Sequence, residues 1–193
     1  MPPAQALVAQ ALVLERPEAT AATNPLAALV AEIDAACAGA EPDGRRMIAA
    51  LRTAAARRDL LTPEQRLGEG NCYARHLLYS DPAERFTIVA IVWGPGQFSP
   101  SHGHYTWCAY AVHENPLLET LYAWDPARGT ARAARTDIRP PGYGCFAHAG
   151  LDQIHRLGNS GAETAISIHV YGIDAARVRT NVNRVVDIGP PAA

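Results

Sequence analysis

The sequence lacks the features that mark several common classes of protein. It has four cysteines in 193 residues, but no two of them form a Cys-x-x-Cys pair, so neither a zinc knuckle nor a dithiol redox motif is indicated. It also lacks a basic stripe, because the arginines are scattered among acidic residues and the net charge is -2. Nucleic acid, which presents a row of phosphates, is therefore not expected as a partner.

Long hydrophobic runs are missing as well. No segment approaches the roughly 20 apolar residues that a membrane-spanning helix needs. Residues 1–14 have no basic start, and Glu15 and Arg16 follow before a long apolar run develops, so this stretch does not resemble a signal peptide. We expect a cytoplasmic protein with reduced cysteines, without a membrane partner, that exists as a monomer or a small homo-oligomer.

The composition provides for a folded core. Hydrophobic residues make up 48% of the chain and charged residues 19%, values that are usual for folded proteins and exclude a wholly disordered chain. The length suits one domain that buries about two thirds of its unfolded surface. We predict a single domain with a helical segment over residues 1–67, a barrel over 68–188 and a disordered tail over 189–193.

The first 67 residues have the pattern of helices. They are rich in alanine and leucine, and apolar residues recur at helical spacing over 26–38 and 45–58. Asn24-Pro25 and Thr62-Pro63 each combine a capping side chain with proline at the first helical position, and Gln65 can complete a capping box with Thr62. This pattern predicts three helices packed on the barrel.

The rest of the chain has the pattern of short strands. After Gly68 and Gly70, β-branched and aromatic residues gather in runs separated by Gly, Pro and Asn. The predicted strands cover residues 73–79, 86–93, 106–112, 118–124, 131–136, 144–148, 153–157 and 164–171. Such spacing indicates a mostly β fold, either a closed barrel or a two-sheet jelly roll.

Three histidines are the main candidates for chemistry. Residues two apart on a strand point to one face, so His102 and His104 can meet His155 from another strand at one metal ion. The turn Trp93-Gly94-Pro95-Gly96 precedes the first pair and would present it at the mouth of the barrel. Neutral nitrogen ligands suit iron, zinc, copper or nickel, so the ligand type alone leaves the metal open.

Residues 73–179 resemble the cupins, and within them the thiol dioxygenases typified by cysteine dioxygenase and 3-mercaptopropionate dioxygenase. The resemblance lies in Tyr73-Ala74-Arg75, residues 86–96, His102-Gly103-His104-Tyr105-Thr106-Trp107, Ile154-His155-Arg156 and Ser167-Ile168-His169-Val170-Tyr171-Gly172. It implies a cupin barrel with one Fe(2+) held by three histidines and no carboxylate. It also implies that dioxygen oxidises a small thiol to its sulfinate.

The missing carboxylate has a physical consequence. The general cupin motif expects glutamate after the second histidine, and Cys108 stands in that place. An ion that keeps its full positive charge favours an incoming thiolate. Because sulfur and oxygen then share one ion, sulfur oxidation becomes effectively intramolecular.

Three polar residues alternate on the last predicted strand. Ser167, His169 and Tyr171 therefore share a face that points into the barrel. The resemblance implies that Ser167 and His169 orient the Tyr171 hydroxyl, which donates to bound oxygen or to the polar head of the substrate. The alternative is that His169 and Tyr171 are packed residues with solvated tips.

Tyr73 and Arg75 also share a strand face. A guanidinium inside a barrel needs an anion, and the substrate carboxylate is the natural candidate because arginine binds it with two parallel hydrogen bonds. Related 3-mercaptopropionate enzymes place an arginine shortly after the tyrosine strand, which makes Arg179 a second candidate. The alternative is a surface Arg75 paired with Asp81 or Glu84.

The sequence departs from the family pattern at three positions. Arg75 resembles the cysteine dioxygenases, whereas 3-mercaptopropionate enzymes, which residues 104–107 and 166–172 resemble, usually have glutamine there. The substrate therefore stays open, and mercaptosuccinate is a further candidate. Cys108 stands where animal cysteine dioxygenases have a cysteine joined to the active-site tyrosine, so a Cys108–Tyr171 thioether is a hypothesis. Gly103 replaces the usual aspartate and removes a contact that would support the ligands.

Together these residues predict an iron-dependent thiol dioxygenase that acts on a small carboxylate-bearing thiol and dioxygen. A second interpretation keeps the barrel and the metal but assigns isomerisation or decarboxylation with zinc, manganese or nickel. A third is a non-catalytic cupin that binds a small metabolite.

Overall fold

The computed structural model describes residues 24–190, in which two five-stranded antiparallel sheets face each other. The helices are α1 (Pro25–Ala36) and α2 (Gly44–Ala55), followed by a 3-10 turn over Glu64–Arg66. The strands are β1 (Ala74–Ser80), β2 (Thr87–Trp93), β3 (His102–His104), β4 (Cys108–Glu114), β5 (Leu117–Asp125), β6 (Thr130–Arg139), β7 (Gly144–Ala147), β8 (Gly150–Gly158), β9 (Ala165–Tyr171) and β10 (Asn183–Val185).

The strand order identifies the barrel. One sheet has the order β1-β2-β9-β4-β7 and the other the order β10-β3-β8-β5-β6, so strands distant in sequence pair and the chain crosses repeatedly between the sheets. All eight predicted strands are present, and β3 and β10 are added to them. The predicted fold class, a mostly β cupin jelly-roll barrel with an N-terminal group of α-helices, is confirmed.

The helical prediction is confirmed for α1 and α2. The Asn24 side chain accepts from the amide of Leu26 at 3.0 Å, and Asp43 caps α2 in the same way. The Thr62–Gln65 capping box forms, since the Thr62 amide donates to Gln65 Oε1 at 3.0 Å. However, only one 3-10 turn follows it, because Gly68 and Gly70 oppose a longer helix. Residues 1–23 of the predicted helical segment lie outside the described residues.

The helices explain why the central strands are apolar along their whole length. Met47 and Leu51 of α2 belong to one buried cluster with Ile88 of β2 and Ile168 of β9. The alternate residues of the same strands face the interior of the barrel. Because both faces of the sheet are covered, every residue of β2 and β9 is buried.

The end of the described chain is tied to β6. Gly189, which was expected in a disordered tail, donates its amide to the carbonyl of Ala131 at 2.9 Å. Residues 191–193 of the predicted tail lie outside the described residues. Neither α-helix, each of 12 residues, is long enough to cross a membrane, and no other helix in residues 24–190 is.

Candidate metal centre

The three predicted histidines meet on two neighbouring strands. His102 of β3 lies directly opposite His155 of β8 in the antiparallel register. The ring centroids are 4.6 Å apart for His102 and His155, 5.1 Å for His104 and His155, and 5.4 Å for His102 and His104. All three residues are buried, and one nitrogen from each lies within 4.8 Å of the others. The predicted convergence of three imidazoles is therefore present.

The hydrogen bonds of these rings leave nitrogen lone pairs for a metal ion. His102 Nδ1 donates to the carbonyl of Pro100 at 2.8 Å, and His155 Nδ1 donates to Glu119 Oε1 at 2.7 Å. In a neutral imidazole this leaves Nε2 as an acceptor. Neither nitrogen of His104 has a partner among the described residues, which is unusual for a buried polar group. A bound metal ion would satisfy His104, so the residues fit the group that the fold implies.

Burial keeps these ligands in the metal-binding form. Desolvation, followed by the nearby His155, holds the pKa of His102 well below its usual range. The same two causes lower the pKa of His104 to about 3. Both imidazoles are thus neutral at physiological pH, which is the protonation state that binds metals.

Glu119 is a site residue that the sequence analysis missed. Its carboxylate accepts from His155 and also from Arg139 Nε at 2.7 Å. Burial raises the pKa of Glu119, but the hydrogen bonds from His155 and Arg139 outweigh it and bring the pKa to about 2. Such a carboxylate behind a histidine ligand fixes the tautomer and the orientation of the ring. The available signal was an acid on the same strand face as Leu117 and Leu121.

The close approach of β8 explains the glycine between the first two histidines. A Cβ on Gly103 would lie 2.5 Å from the carbonyl oxygen of Gly150, which is too close for any side chain without a shift of the backbone. The aspartate that the family usually has at this position does not fit here. The support of the ligands comes instead from Pro100 and Glu119.

One cavity brings the histidines together with the predicted substrate-binding residues. Its lining includes His102, His104, His155, Tyr73, Arg75 and Tyr171. Arg75 donates to the Tyr73 hydroxyl at 3.0 Å, and its guanidinium carbon lies 4.9 Å from the centre of the Tyr73 ring. The Nε of Arg75 is buried and has no partner in the described part of the chain.

The alternative ion pairs of Arg75 are not formed. Asp81 is bound to Arg85, at 2.7 Å from its Nε, and Arg75 forms no ion pair with any residue in 24–190. Arg179 lies in a neighbouring recess that Tyr73 and Arg75 also border, but it does not line the cavity of the histidines. The structure therefore separates the two arginine candidates.

The three alternating residues of β9 form one chain of hydrogen bonds. Ser167 Oγ lies 2.8 Å from His169 Nε2, and His169 Nδ1 lies 3.1 Å from the Tyr171 hydroxyl. Trp93 of β2 extends the chain, because its indole nitrogen donates to Ser167 Oγ at 2.9 Å. The sequence analysis placed Trp93 at the end of a predicted strand and the start of a turn but did not predict this contact, because it depends on how β2 pairs with β9.

Cys108 and Tyr171 lie directly opposite each other on β4 and β9. Both are buried and both line the metal cavity. Burial raises the pKa of the Cys108 thiol, with smaller contributions from Cys145 and Glu119, so Cys108 stays protonated and is not a thiolate ligand. Burial likewise raises the pKa of Tyr171.

Asn183 is a further site residue that the sequence analysis missed. It lies on β10, opposite His104 of β3, and it lines the cavity with Arg75 and Tyr171. A strand of three residues is too short for a periodic pattern, so no sequence signal marked it.

A jelly-roll barrel with three converging imidazoles inside it defines a cupin metalloprotein. Residues 67–180 match the family model described as cysteine dioxygenase type I. Since the match covers more than half of the chain, this protein belongs to the cysteine dioxygenase type I family. Asn183 lies just beyond the matched segment.

Several solved structures resemble the chain at low identity. A protein from Thermus thermophilus is 21% identical, with 58% of this chain and 96% of that chain covered and a TM-score of 0.44. An uncharacterised protein with a double-stranded beta-helix domain from Klebsiella pneumoniae is 18% identical, with 60% and 84% covered and a TM-score of 0.46. An oxalate oxidase is 16% identical, with 59% of each chain covered and a TM-score of 0.44. These likenesses concern the fold and not the chemistry.

Replacing Glu119 tests its support of His155. In Glu119→Gln one of the two carboxylate oxygens becomes an amide donor, so His155 and Arg139 compete for a single acceptor. We expect metal affinity to fall about 10- to 100-fold while the fold is kept, the usual effect of losing such a partner. Anaerobic metal titration against a competing chelator measures it, with the exposed Glu163→Gln as the control. Equal affinities in the two variants would contradict this role.

Proposed function

We propose that the protein is a ferrous-iron thiol dioxygenase that converts a small carboxylate-bearing thiol to its sulfinate with dioxygen. The observation that carries the proposal is that Arg75, a cation without an acidic partner in residues 24–190, lines the same cavity as the three histidines. Membership of the cysteine dioxygenase type I family supports the reaction class.

In this proposal Arg75 binds the carboxylate of the substrate. The Nε of half-buried Arg75 lies without a partner in the described residues, which is unfavourable for a buried donor, and a carboxylate that enters the cavity offsets this by accepting its hydrogen bond. Tyr73 holds the guanidinium from one side through its hydroxyl and its ring. Because arginine binds carboxylate in a planar, two-bond geometry, this contact fixes the orientation of the substrate as well as its affinity.

In this proposal the three histidines hold the metal ion that binds the sulfur of the substrate. The donor set of His102, His104 and His155 contains no acid, so a bound divalent ion keeps its charge and favours a thiolate. When bound, ferrous iron supplies the coordination positions at which a thiolate and dioxygen react. The carboxylate at Arg75 then holds the sulfur end of the substrate at the histidines.

Tyr171 provides a hydroxyl in the same cavity. Its hydrogen bond to His169 fixes the position of this hydroxyl, and burial keeps it protonated by raising its pKa. We assign to it the donation of a hydrogen bond to oxygen or to the polar head of the substrate. His169 and Ser167 act as positioning residues for it.

The thiol and the metal are tested together by anaerobic reconstitution with ferrous iron. Cysteine, cysteamine, 3-mercaptopropionate and mercaptosuccinate are then scored for oxygen uptake and sulfinate. We expect one of the carboxylate-bearing thiols to be oxidised and cysteamine, which has no carboxylate, to be poor. His155→Ala should lose metal and turnover together. Reconstituted protein that consumes no oxygen with any thiol, or is active only with another metal, would contradict the proposal.

Arg75 and Arg179 form a matched pair of variants. We expect Arg75→Ala to raise the thiol KM about 10- to 100-fold, because a hydrogen bond to a charged group contributes about 1.5–3 kcal/mol. Arg179→Ala should change KM little, since Arg179 does not line the cavity. Initial rates over a range of thiol concentrations measure both. A larger rise in KM in Arg179→Ala than in Arg75→Ala would indicate that the substrate carboxylate binds in the recess lined by Arg179.

We further propose that a thioether joins Cys108 and Tyr171. Their direct opposition on β4 and β9 supports it. Bond formation removes the thiol hydrogen and one ring hydrogen, and dioxygen takes up these two hydrogens with their electrons. Mass spectrometry of peptides after turnover should find the pair linked, with two hydrogens lost, and Cys108→Ser should abolish the linked species. Recovery of only the free Cys108 peptide after turnover would exclude the link.

A further inference from the structure

We propose that Trp93 gives the hydrogen-bond chain from Ser167 to Tyr171 a fixed direction. In this direction His169 carries its hydrogen on Nδ1, and the hydroxyl hydrogen of Tyr171 is left free to point into the metal cavity. Trp93 is thus a positioning residue, which also lines the cavity, at the opposite end of the hydrogen-bond chain from Tyr171. Its consequence for turnover rests on the proposed function, whereas the position of the hydrogen on His169 does not.

The direction of the hydrogen bonds is set first by the indole of Trp93. A tryptophan side chain is a hydrogen-bond donor only, so in the 2.9 Å contact Trp93 donates and Ser167 Oγ accepts. Both residues are buried, at 2% and 0% exposure, and Ser167 is not among the residues that line the metal cavity, so solvent does not compete for its hydroxyl. The Trp93 ring lies 4.5 Å from the ring of Tyr73, which holds the indole in place.

Ser167 is the next member of the hydrogen-bond chain, between Trp93 and His169. Its hydroxyl has a single hydrogen, and its other side-chain partner among the described residues is His169 Nε2, at 2.8 Å. If Nε2 carried a hydrogen, Ser167 would accept from both neighbours and its own hydrogen would be buried without an acceptor. Because an unsatisfied buried donor is costly, the hydroxyl donates to Nε2.

His169 then has its hydrogen on the other nitrogen. Burial, with contributions from His155 and Arg75, holds the pKa of His169 well below its usual range, so the ring is neutral and has one N–H. With Nε2 accepting, that N–H is on Nδ1 and donates to the Tyr171 oxygen at 3.1 Å. The Tyr171 hydrogen is not used within the chain and remains available to an acceptor in the cavity that Tyr171 lines.

Trp93 matters because consecutive hydrogen bonds strengthen one another. A donor on Oγ makes the Ser167 hydroxyl a stronger donor and a weaker acceptor, which favours the arrangement with Nε2 unprotonated. Phenylalanine at this position keeps an aromatic ring beside Tyr73 but removes the donor. In Trp93→Phe the reverse arrangement, in which Tyr171 donates to His169, gains population.

Nitrogen NMR of histidine-labelled protein loaded with Zn2+ tests the tautomer directly. In the wild type we expect His169 with Nδ1 protonated and Nε2 unprotonated. In Trp93→Phe we expect the share of the Nε2-protonated form to rise about 2- to 10-fold, the bias that one hydrogen bond supplies. Trp124→Phe is the matched control, since Trp124 lies on β5 away from the chain, and it should leave the tautomer unchanged.

Two NMR results would overturn the proposal. One is a wild-type His169 with its hydrogen on Nε2, a result that needs no variant to fold. The other is a tautomer ratio in Trp93→Phe equal to that of the wild type. If the wild type oxidises no thiol although His169 is protonated on Nδ1, the proposed function fails and the direction of the chain stands.

Kinetics of the iron-loaded enzyme add a second measurement. We expect Trp93→Phe to lower kcat about 10-fold, less than the ~100-fold or more that a positioned proton donor contributes, because Tyr171 itself remains. The thiol KM should stay unchanged, since Arg75 is intact. A rise in KM with unchanged kcat would show that Trp93 acts on substrate binding, against the proposal.

Discussion

The opposition of His102 and His155 across β3 and β8 is the contact on which the rest of the site depends. It joins two short segments distant in sequence and sets where a metal ion can bind. The Nδ1 of each ring donates a hydrogen bond, that of His102 to a backbone carbonyl and that of His155 to the Glu119 carboxylate. With both tautomers fixed, the lone pairs point to one place before any ion arrives, and preorganisation of this kind reduces the cost of binding.

The two-sided burial of the central sheet supplies the second half of the site. Along β9, Ile168 and Val170 pack toward the helices, while His169 and Tyr171 face the cavity. The same packing that stabilises the fold therefore buries His169 and Tyr171 against the cavity. Because β2 and β4 flank β9 on either side, Trp93 and Cys108 reach its polar residues from opposite directions.

Features that repeat along the chain were predictable from sequence, and features that depend on strand pairing were not. Runs of β-branched and aromatic residues separated by turn residues predicted eight strands, and the spacing of the histidines predicted their convergence. The contacts of Glu119 and Trp93 were not predicted because they depend on which strands lie beside β5 and β2. Asn183 was not predicted because β10 is too short to have a sequence pattern. The position of Arg179 outside the metal cavity was not predicted because it depends on the path of a loop.

The charges of the site argue for the kind of thiol that it accepts. Although the donor set has no acid, Glu119 lies one hydrogen bond behind it and stays ionised, with a pKa of about 2. Arg139 pairs with Glu119, so the two together add no net charge near the metal. The cavity itself has Arg75 and, on the proposed function, a divalent ion, and no acidic residue in the described chain lines it. A molecule with a thiolate at one end and a carboxylate at the other offsets both cations, whereas a thiol without a carboxylate leaves Arg75 without an anionic partner and its buried Nε unsatisfied.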